Sequence, residues 1–123
     1  ELKYLAAGGR ISRIGAFFGD TLKMKPIISP QPEGVKKMGM ARHTKDQVRF
    51  ALEKLDGLLS RDADAMIMLE YTDNRDWLAS RVVPEIRSRF PAAEIITQPL
   101  SLTSGVHMGP GTWGVAVLPG DLA

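Results

Sequence analysis

The sequence predicts an α/β domain, a two-layer sandwich in which a mixed β-sheet carries helices packed mainly on one face. Its 123 residues are the length of one domain with one hydrophobic core. In the second half of the chain, strand-like and helix-like segments alternate, which implies crossover connections between strands. A hairpin predicted earlier in the chain adds antiparallel pairing, so the sheet is expected to be mixed.

The first quarter of the chain predicts two short helices. Apolar residues at positions 2, 5 and 6 have helical spacing, and the paired glycines Gly8 and Gly9 end this opening helix. Ser12 then suits the N-cap of a second helix, which ends where Pro26 restricts the residue before it. The two helices are expected to meet at the Gly-Gly hinge.

A hairpin and the best-supported helix follow. Residues 26–29 and 35–42 predict strands, and the Pro- and Gly-containing stretch 30–34 predicts the turn between them. The helix is predicted over Thr44–Arg61, where apolar residues repeat at helical spacing and Thr44 with Gln47 fits a capping box. Its charged face is expected to face water.

The last half of the chain predicts three more strands and one more helix. The predicted strands are residues 65–71, 94–100 and 113–118. Asp73 or Asn74 can cap a helix after the first of these strands. Pro84 falls inside that helix and predicts a kink or two half-helices, because proline lacks an amide donor and crowds the preceding turn. A turn rich in glycine and serine is predicted over residues 103–111.

Composition and charge narrow the function. Apolar residues make up 44% and charged residues 24% of the chain, as in ordinary globular proteins. Lys and Arg number 16 against 14 Asp and Glu, so the formal charge is only +2 and no nucleic-acid partner is expected. The absence of cysteine excludes disulfides, a thiol nucleophile and a cysteine-based zinc site. Apolar runs far shorter than the ~20 residues of a membrane helix predict a cytoplasmic protein without stable membrane insertion.

Two motifs are candidates for binding an anion. Arg10 follows Gly8 and Gly9, where backbone amides, a helix N-terminus and a guanidinium would converge; the alternative is a solvated arginine beside an ordinary turn. His107 lies in the turn Gly105–Gly111, whose glycines and proline allow close backbone approach to a ligand. The alternative is a turn that needs its glycines for their backbone angles, with His107 incidental. Both alternatives stay open on spacing alone.

Catalytic and metal chemistry are not expected. His43 and His107 are far apart in sequence and have no carboxylate motif beside them, so no metal site is predicted, and His43 is expected at the surface. The chain lacks the Gly-x-Ser-x-Gly motif of a serine hydrolase, and its Gly-Pro-Gly-Thr stretch lacks the lysine of a phosphate loop. A binding protein without a cofactor is the prediction.

Three separated motifs occur in order along the chain. They are Leu-Lys-Tyr-Leu-x-x-Gly-Gly-Arg-Ile-Ser at residues 2–12, Leu-x-x-Lys-Pro-Ile-Ile at 22–28 and Gly-x-His-x-Gly-Pro-Gly at 105–111. Together they resemble the DegV family of bacterial fatty-acid-binding proteins, which have the EDD fold. The resemblance covers essentially the whole chain and is to the C-terminal one of two domains. It implies that a Rossmann-like N-terminal domain lies outside this chain.

The resemblance implies a carrier and not a catalyst. Family members hold one long-chain fatty acid, with its tail in an apolar tunnel between the domains, and present it to a fatty acid kinase that makes an acyl phosphate. The resemblance assigns His107 and Arg10 to the fatty-acid carboxylate. It associates Arg42 with docking of the kinase, although the residues around Arg42 are less typical. Met108 stands where many relatives have a hydroxyl residue, which removes one donor beside the carboxylate.

The other expected site residues shape the loops or contact the acyl chain. The loop-shaping residues are Gly8, Gly9, Gly105, Gly109, Pro110 and Gly111. The residues expected beside the acyl chain are Phe17, Phe18, Leu22 and Ile28, for which an ordinary core position is the alternative. A second class of function also stays open. In it, the chain is a structural or regulatory domain that binds a protein partner, or a second copy of itself, through the face that the N-terminal domain would cover.

Overall fold

The computed structural model describes residues 2–8, 25–100 and 110–119 of the chain. Its strands are β1 (Leu2–Ala6), β2 (Lys25–Gln31), β3 (Gly34–Ala41), β4 (Ala65–Tyr71), β5 (Glu94–Pro99) and β6 (Trp113–Pro119). Its helices are α1 (Thr44–Leu58), α2 (Arg75–Trp77) and α3 (Val83–Arg89), with a π-helical stretch, Leu78–Val82, joining the last two. The helix predicted to follow Ser12 and most of the turn predicted over 103–111 lie outside the described residues.

The six strands form one mixed sheet in the order β3-β2-β1-β6-β4-β5. Only β4 and β5 run parallel, and the other neighbouring strands are antiparallel. The α2–α3 segment joins β4 to β5, as the crossover between parallel strands requires. The predicted mixed sheet and the predicted order of β4, helix and β5 are confirmed.

The main core lies between the sheet and the helices. Its largest buried side chains include Trp113, Phe90, Ile27, Leu55, Ile67, Leu69, Leu78 and Ile86. Both helical segments contribute to this one cluster, whereas Ile28 belongs to a second, smaller cluster with Leu5 and Ala7. Ile27 and Ile28 are adjacent in sequence, so they point to opposite faces of the sheet. The helices therefore cover one face, as predicted, and we call the opposite one the second face.

The predicted opening helix is wrong, because residues 2–6 form β1. This strand lies between β2 and β6 and pairs Leu5 with both Ile28 and Gly114. Leu5 packs on the second face and Ala6 packs in the main core, which is the alternation of a strand buried on both sides. Three apolar positions are too few to separate helical from strand periodicity, so pairing with neighbouring strands determines the structure.

The predicted hairpin is confirmed, with a tighter turn. β2 continues to Gln31 and β3 begins at Gly34, so the turn consists of Pro32 and Glu33. Gly34 has a φ of 144°, a conformation that a residue with a side chain rarely adopts. The hairpin therefore turns closely enough to extend the pairing of both strands beyond the predicted ends.

Helix α1 confirms the best-supported predicted helix but differs at its ends. It ends at Leu58, three residues earlier than predicted. At its start, the backbone amide of His43 donates a hydrogen bond to Asp46 Oδ2 at 3.3 Å, so the capping pair lies one residue before the predicted Thr44 and Gln47. The side chain of Gln47 is buried and hydrogen-bonded to the sheet, which leaves it unavailable for capping.

The predicted break at Pro84 is confirmed as two α-helical pieces joined by the π-helical stretch. Pro84 occupies the first turn of α3, directly after the π-helical stretch, and its missing amide hydrogen removes one donor from this helical segment. The Val83 amide donates to the Leu78 carbonyl oxygen. The side chains of Leu78, Val82 and Ile86 are all at most 1% exposed, so the break leaves the buried face continuous.

Replacing Leu55 with alanine tests whether the face of α1 toward the sheet supports the core. Leu55 is 1% exposed, so Leu55→Ala should lower the free energy of unfolding by about 2–5 kcal/mol through lost burial and a residual cavity. Leu58→Ala, on the same helix at 41% exposure, should change it by no more than about 0.5 kcal/mol. Urea denaturation measures both. Equal losses would contradict the described packing of α1.

Candidate functional site

Two glycines from opposite ends of the chain bring its motif segments into contact. Gly8 follows β1 and Gly111 precedes β6, and these strands pair side by side. A β-carbon on Gly8 would lie under 3.0 Å from backbone atoms of Pro110, Gly111 and Thr112. Gly111 has a φ of 82°, in the left-handed region that favours glycine. We call Gly8, Pro110, Gly111 and Thr112 the glycine junction.

Side chains of the loop between β4 and α2 hold one side of the glycine junction. Asp73 Oδ1 accepts a hydrogen bond from the Gly111 amide at 2.7 Å, and Asn74 Nδ2 donates one to the Gly111 carbonyl oxygen at 3.1 Å. The Thr72 hydroxyl donates to the Thr112 carbonyl oxygen at 2.8 Å. Three consecutive side chains therefore hold the backbone of Gly111 and Thr112, at the end of the motif that contains His107.

A buried glutamine and a buried tryptophan tie the glycine junction to the helix layer. Gln47 Nε2 donates to the Ala7 carbonyl oxygen at 2.8 Å, and Trp113 Nε1 donates to Gln47 Oε1 at 3.0 Å. The Gly8 amide donates to Thr112 Oγ1 at 3.0 Å. Gln47 and Trp113 are 3% and 1% exposed, so loss of either partner would leave a buried polar group unpaired. Helix α1 thus holds the chain on both sides of the junction.

The glycine junction lowers the pKa of Asp73. The Gly111 amide holds the pKa of the Asp73 carboxyl below its ordinary value of 3.8, and the backbone amide of Asp73 acts in the same direction. These donors favour the ionised carboxylate because they are aimed at its oxygens. The junction therefore stabilises the ionised form of Asp73.

The second face of the sheet carries a buried ion pair. Lys3 Nζ lies 2.7 Å from Oε1 of Glu70, whose side chain is 4% exposed. Glu70 pairs with Gly114, which pairs with Leu5, so the carboxylate shares the face of the smaller apolar cluster. Among the described residues, no aligned hydrogen bond reaches this oxygen, and the Lys3 ammonium is what offsets its charge. Removing either partner would leave a buried, uncompensated charge.

The structure describes some of the predicted site residues and not others. Gly8, Pro110 and Gly111 lie together at the glycine junction. Ile28 is 1% exposed and packs on the second face, while Arg42 is exposed directly after β3. The predicted site residues outside the described ranges are Gly9, Arg10, Phe17, Phe18, Leu22, Gly105, His107 and Gly109.

Sequence reasoning missed the side chains that hold the glycine junction. Asp73 and Asn74 are predicted only as helix caps, Gln47 only as part of a capping box, and Trp113 only as a strand residue. Their hydrogen bonds join residues 37 to 66 positions apart, so local sequence spacing does not reveal them. The polar residue Thr112 beside the glycine-rich turn is the one weak signal.

The described residues show neither a metal centre nor a membrane span. Within residues 2–8, 25–100 and 110–119, no three His, Asp or Glu side chains are grouped so that they could hold a metal ion. No helix in these same ranges has the length and apolar character to cross a membrane.

The fold and the glycine junction define a class of α/β domain in which two glycine-containing segments meet at one end of a mixed sheet. A family model described as "Uncharacterised protein, DegV family" matches residues 1–120. The chain therefore belongs to the DegV family, as its three motifs predict.

Two curated relatives match most of this chain. Protein DegV of Bacillus subtilis is 27% identical over 115 residues, and a DegV domain-containing protein of Clostridium perfringens is 30% identical over 121 residues. Each alignment covers 94% of this chain and 41% of the relative. The chain thus spans about two-fifths of the length of these relatives.

Solved structures share the fold. A DegV family protein from Thermus thermophilus, described by its fatty acid binding, has a TM-score of 0.75 at 22% identity, over 95% of this chain and 45% of the other. DegV from Bacillus subtilis, described as a fatty acid binding protein, has a TM-score of 0.71 at 24% identity, and the match covers 94% of this chain and 44% of the other. The Streptococcus pneumoniae Fatty Acid Kinase (Fak) B3 protein, loaded with linoleic acid, has a TM-score of 0.72 at 16% identity, and the match covers 96% of this chain and 44% of the other.

Adding a methyl group to Gly8 tests the glycine junction. Gly8→Ala should lower the free energy of unfolding by at least about 2 kcal/mol, because the new β-carbon meets backbone atoms that move only with the loop. Gly57→Ala is the matched control. Its β-carbon has nothing within 4 Å, and it lies in a helix, where alanine is favoured by up to about 1 kcal/mol. A Gly8→Ala protein as stable as Gly57→Ala would contradict the junction.

Acid unfolding tests the bond between Asp73 and Gly111. Because folding lowers the pKa of Asp73, its contribution to stability is complete above 3.8 and is lost as the pH falls through the folded-state pKa. Asp73→Asn should therefore flatten the decline of unfolding free energy below that pH. Asp62→Asn, which removes an exposed carboxylate from the turn after α1, is the control. Parallel curves for wild type and Asp73→Asn would rule out this role.

Proposed function

We propose that this chain is the C-terminal domain of a carrier that binds one long-chain fatty acid, with Arg10 and His107 binding its carboxylate. The observation that supports this most is the glycine junction. It brings Gly8, which lies two residues before Arg10, against Pro110, which lies three residues after His107. Arg10 and His107, which separate motifs predict to bind an anion, are thus both within three residues of the glycine junction along the chain.

Chain connectivity limits how far these two side chains can be from the junction. Arg10 is two residues from Gly8 along the chain and His107 is three residues from Pro110, and an extended chain advances only about 3.3–3.6 Å per residue. We propose that the side chains of Arg10 and His107 reach one shared carboxylate beside the glycine junction. A guanidinium and an imidazole on one carboxylate supply charge-assisted hydrogen bonds, which are stronger than neutral ones.

The second face of the sheet is where we propose that the acyl chain lies. Ile28 packs there with Leu5 and Ala7, and Phe17, Phe18 and Leu22 belong to the segment that joins β1 to β2. Each buried methylene of an acyl chain contributes about 0.8 kcal/mol. The relatives are more than twice as long as this chain, and we propose that their additional domain, expected to be Rossmann-like, forms the other wall of the tunnel.

The carrier role itself rests on similarity and on the chemistry present. Three structural relatives are described by fatty acid binding or hold linoleic acid, and one of them is a Fatty Acid Kinase B3 protein. We infer that the chain delivers its ligand to a fatty acid kinase in the cytoplasm, with Arg42 contributing to docking, and that it performs no catalysis itself. Arg42 is exposed, as a docking residue must be.

Native mass spectrometry with oleate tests the proposed carboxylate site. His107→Ala and Arg10→Ala should each weaken oleate binding about 10- to 100-fold, since a hydrogen bond to a charged group contributes about 1.5–3 kcal/mol. His43→Ala and Arg61→Ala are the matched controls, because both residues are exposed and lie outside the proposed site. They should bind oleate as the wild type does.

The experiment uses the chain both alone and joined to the N-terminal domain of a DegV relative. Binding that appears only in the joined protein supports a tunnel shared by two domains. Failure of both proteins to bind oleate would refute the proposed function, and equal binding by His107→Ala, Arg10→Ala and the controls would refute the assigned residues.

A further inference from the structure

An open groove lies between α1 and the α2–α3 segment. It has a volume of about 520 Å³, within the roughly 300–1,000 Å³ range of ligand-binding clefts. Val48, Leu52 and Trp77 form its apolar part. Leu52 is buried, whereas Val48 and Trp77 are half-buried and so remain partly open to an incoming group. The groove is separate from the glycine junction and shares none of its four residues.

Positive charge predominates at the rim of the groove. Lys45, Arg49 and Arg81 are exposed and line it, against the single carboxylate of Glu85. Arg49 lies 3.3 Å from Asp46, so part of its charge is already offset. In the part of the chain that the structure describes, neither Lys45 nor Arg81 forms an ion pair with a carboxylate. Two cations therefore flank an apolar surface without a described counterion.

We propose that this groove docks an acidic amphipathic helix of a partner protein. A helix with an apolar stripe would place that stripe on Val48 and Trp77, and aspartates or glutamates beside the stripe would meet Lys45 and Arg81. The concave shape favours such a segment over a membrane surface, which is nearly flat on this scale. The inference rests on the proposed function in one respect: the partner is taken to be the protein that receives the ligand.

Trp77 connects the groove to the network around the glycine junction. Its ring packs edge-on against that of Trp113, with centroids 5.6 Å apart and an interplanar angle of 69°. Trp113 in turn donates to Gln47, which holds the Ala7 carbonyl. Only the ring of Trp113 thus separates a docked helix that contacts Trp77 from the buried hydrogen bonds of Gln47 beside the glycine junction. This placement suits a surface used by the recipient of the ligand.

Fluorescence anisotropy with a labelled amphipathic helical peptide tests the groove. The peptide carries leucines at helical spacing flanked by glutamates, and a matched peptide has lysines in place of the glutamates. The chain should bind only the acidic peptide, and more weakly as salt is added. The double variant Lys45→Glu/Arg81→Glu should weaken binding about tenfold or more, since each reversal replaces an attraction with a repulsion.

The control is Lys36→Glu/Arg87→Glu, which makes the same change in net charge at two exposed residues outside the groove. It should weaken binding less than twofold, about the effect of a small change in distant charge. Equal weakening by both double variants would overturn the proposal. Binding of the lysine peptide, or no binding of the acidic peptide at low salt, would also overturn it. So would a chain that binds anionic phosphatidylglycerol vesicles and neither peptide.

Oleate binding by the same variants separates this inference from the proposed function. Lys45→Glu/Arg81→Glu should bind oleate as the wild type does, and His107→Ala should bind the acidic peptide as the wild type does. Peptide binding without oleate binding in any protein would refute the carrier role and leave the groove as a docking surface. Oleate binding without peptide binding would refute the groove alone.

Discussion

Contact between the backbones of Gly8 and Gly111 constrains how the two ends of this chain meet. Any side chain at Gly8 would collide with the backbone of the segment before β6, and Gly111 takes a left-handed conformation. The pairing of β1 with β6 in the middle of the sheet depends on this approach, because both strands begin or end beside it. The proposed carboxylate site depends on it for the same reason.

The bonds around the junction come from three separate parts of the fold. The loop after β4 supplies Asp73 and Asn74, α1 supplies Gln47, and β6 supplies Trp113. A junction assembled from such distant elements forms only when the whole domain folds, so the core positions the backbone that meets there. The groove between the helices reaches this network through Trp77, whose ring packs against that of Trp113.

Much of the fold could be predicted from the sequence because its elements are long or strongly periodic. Helix α1 shows its periodicity over enough residues to be assigned, and β4 is an apolar run with the length of a strand. Pro84 marks the break in the second helical segment because it lacks an amide donor. Strand β1 could not be assigned, since its five residues fit both the helical and the strand period and its neighbours in the sheet are distant in sequence. The roles of Gln47 and Asp73 depend on tertiary contacts, so local sequence patterns could not predict them.

We propose that the glycine junction adjoins the site for the ligand carboxylate. A ¹⁵N–¹H NMR titration of the chain with oleate tests it directly, because each backbone amide reports its own surroundings. We expect the amide resonances of Gly8, Gly111 and Thr112 to shift as oleate is added, while those of Val48 and Arg81 in the groove do not. Saturable shifts confined to the groove or to the sheet edges, with an unmoved junction, would contradict it.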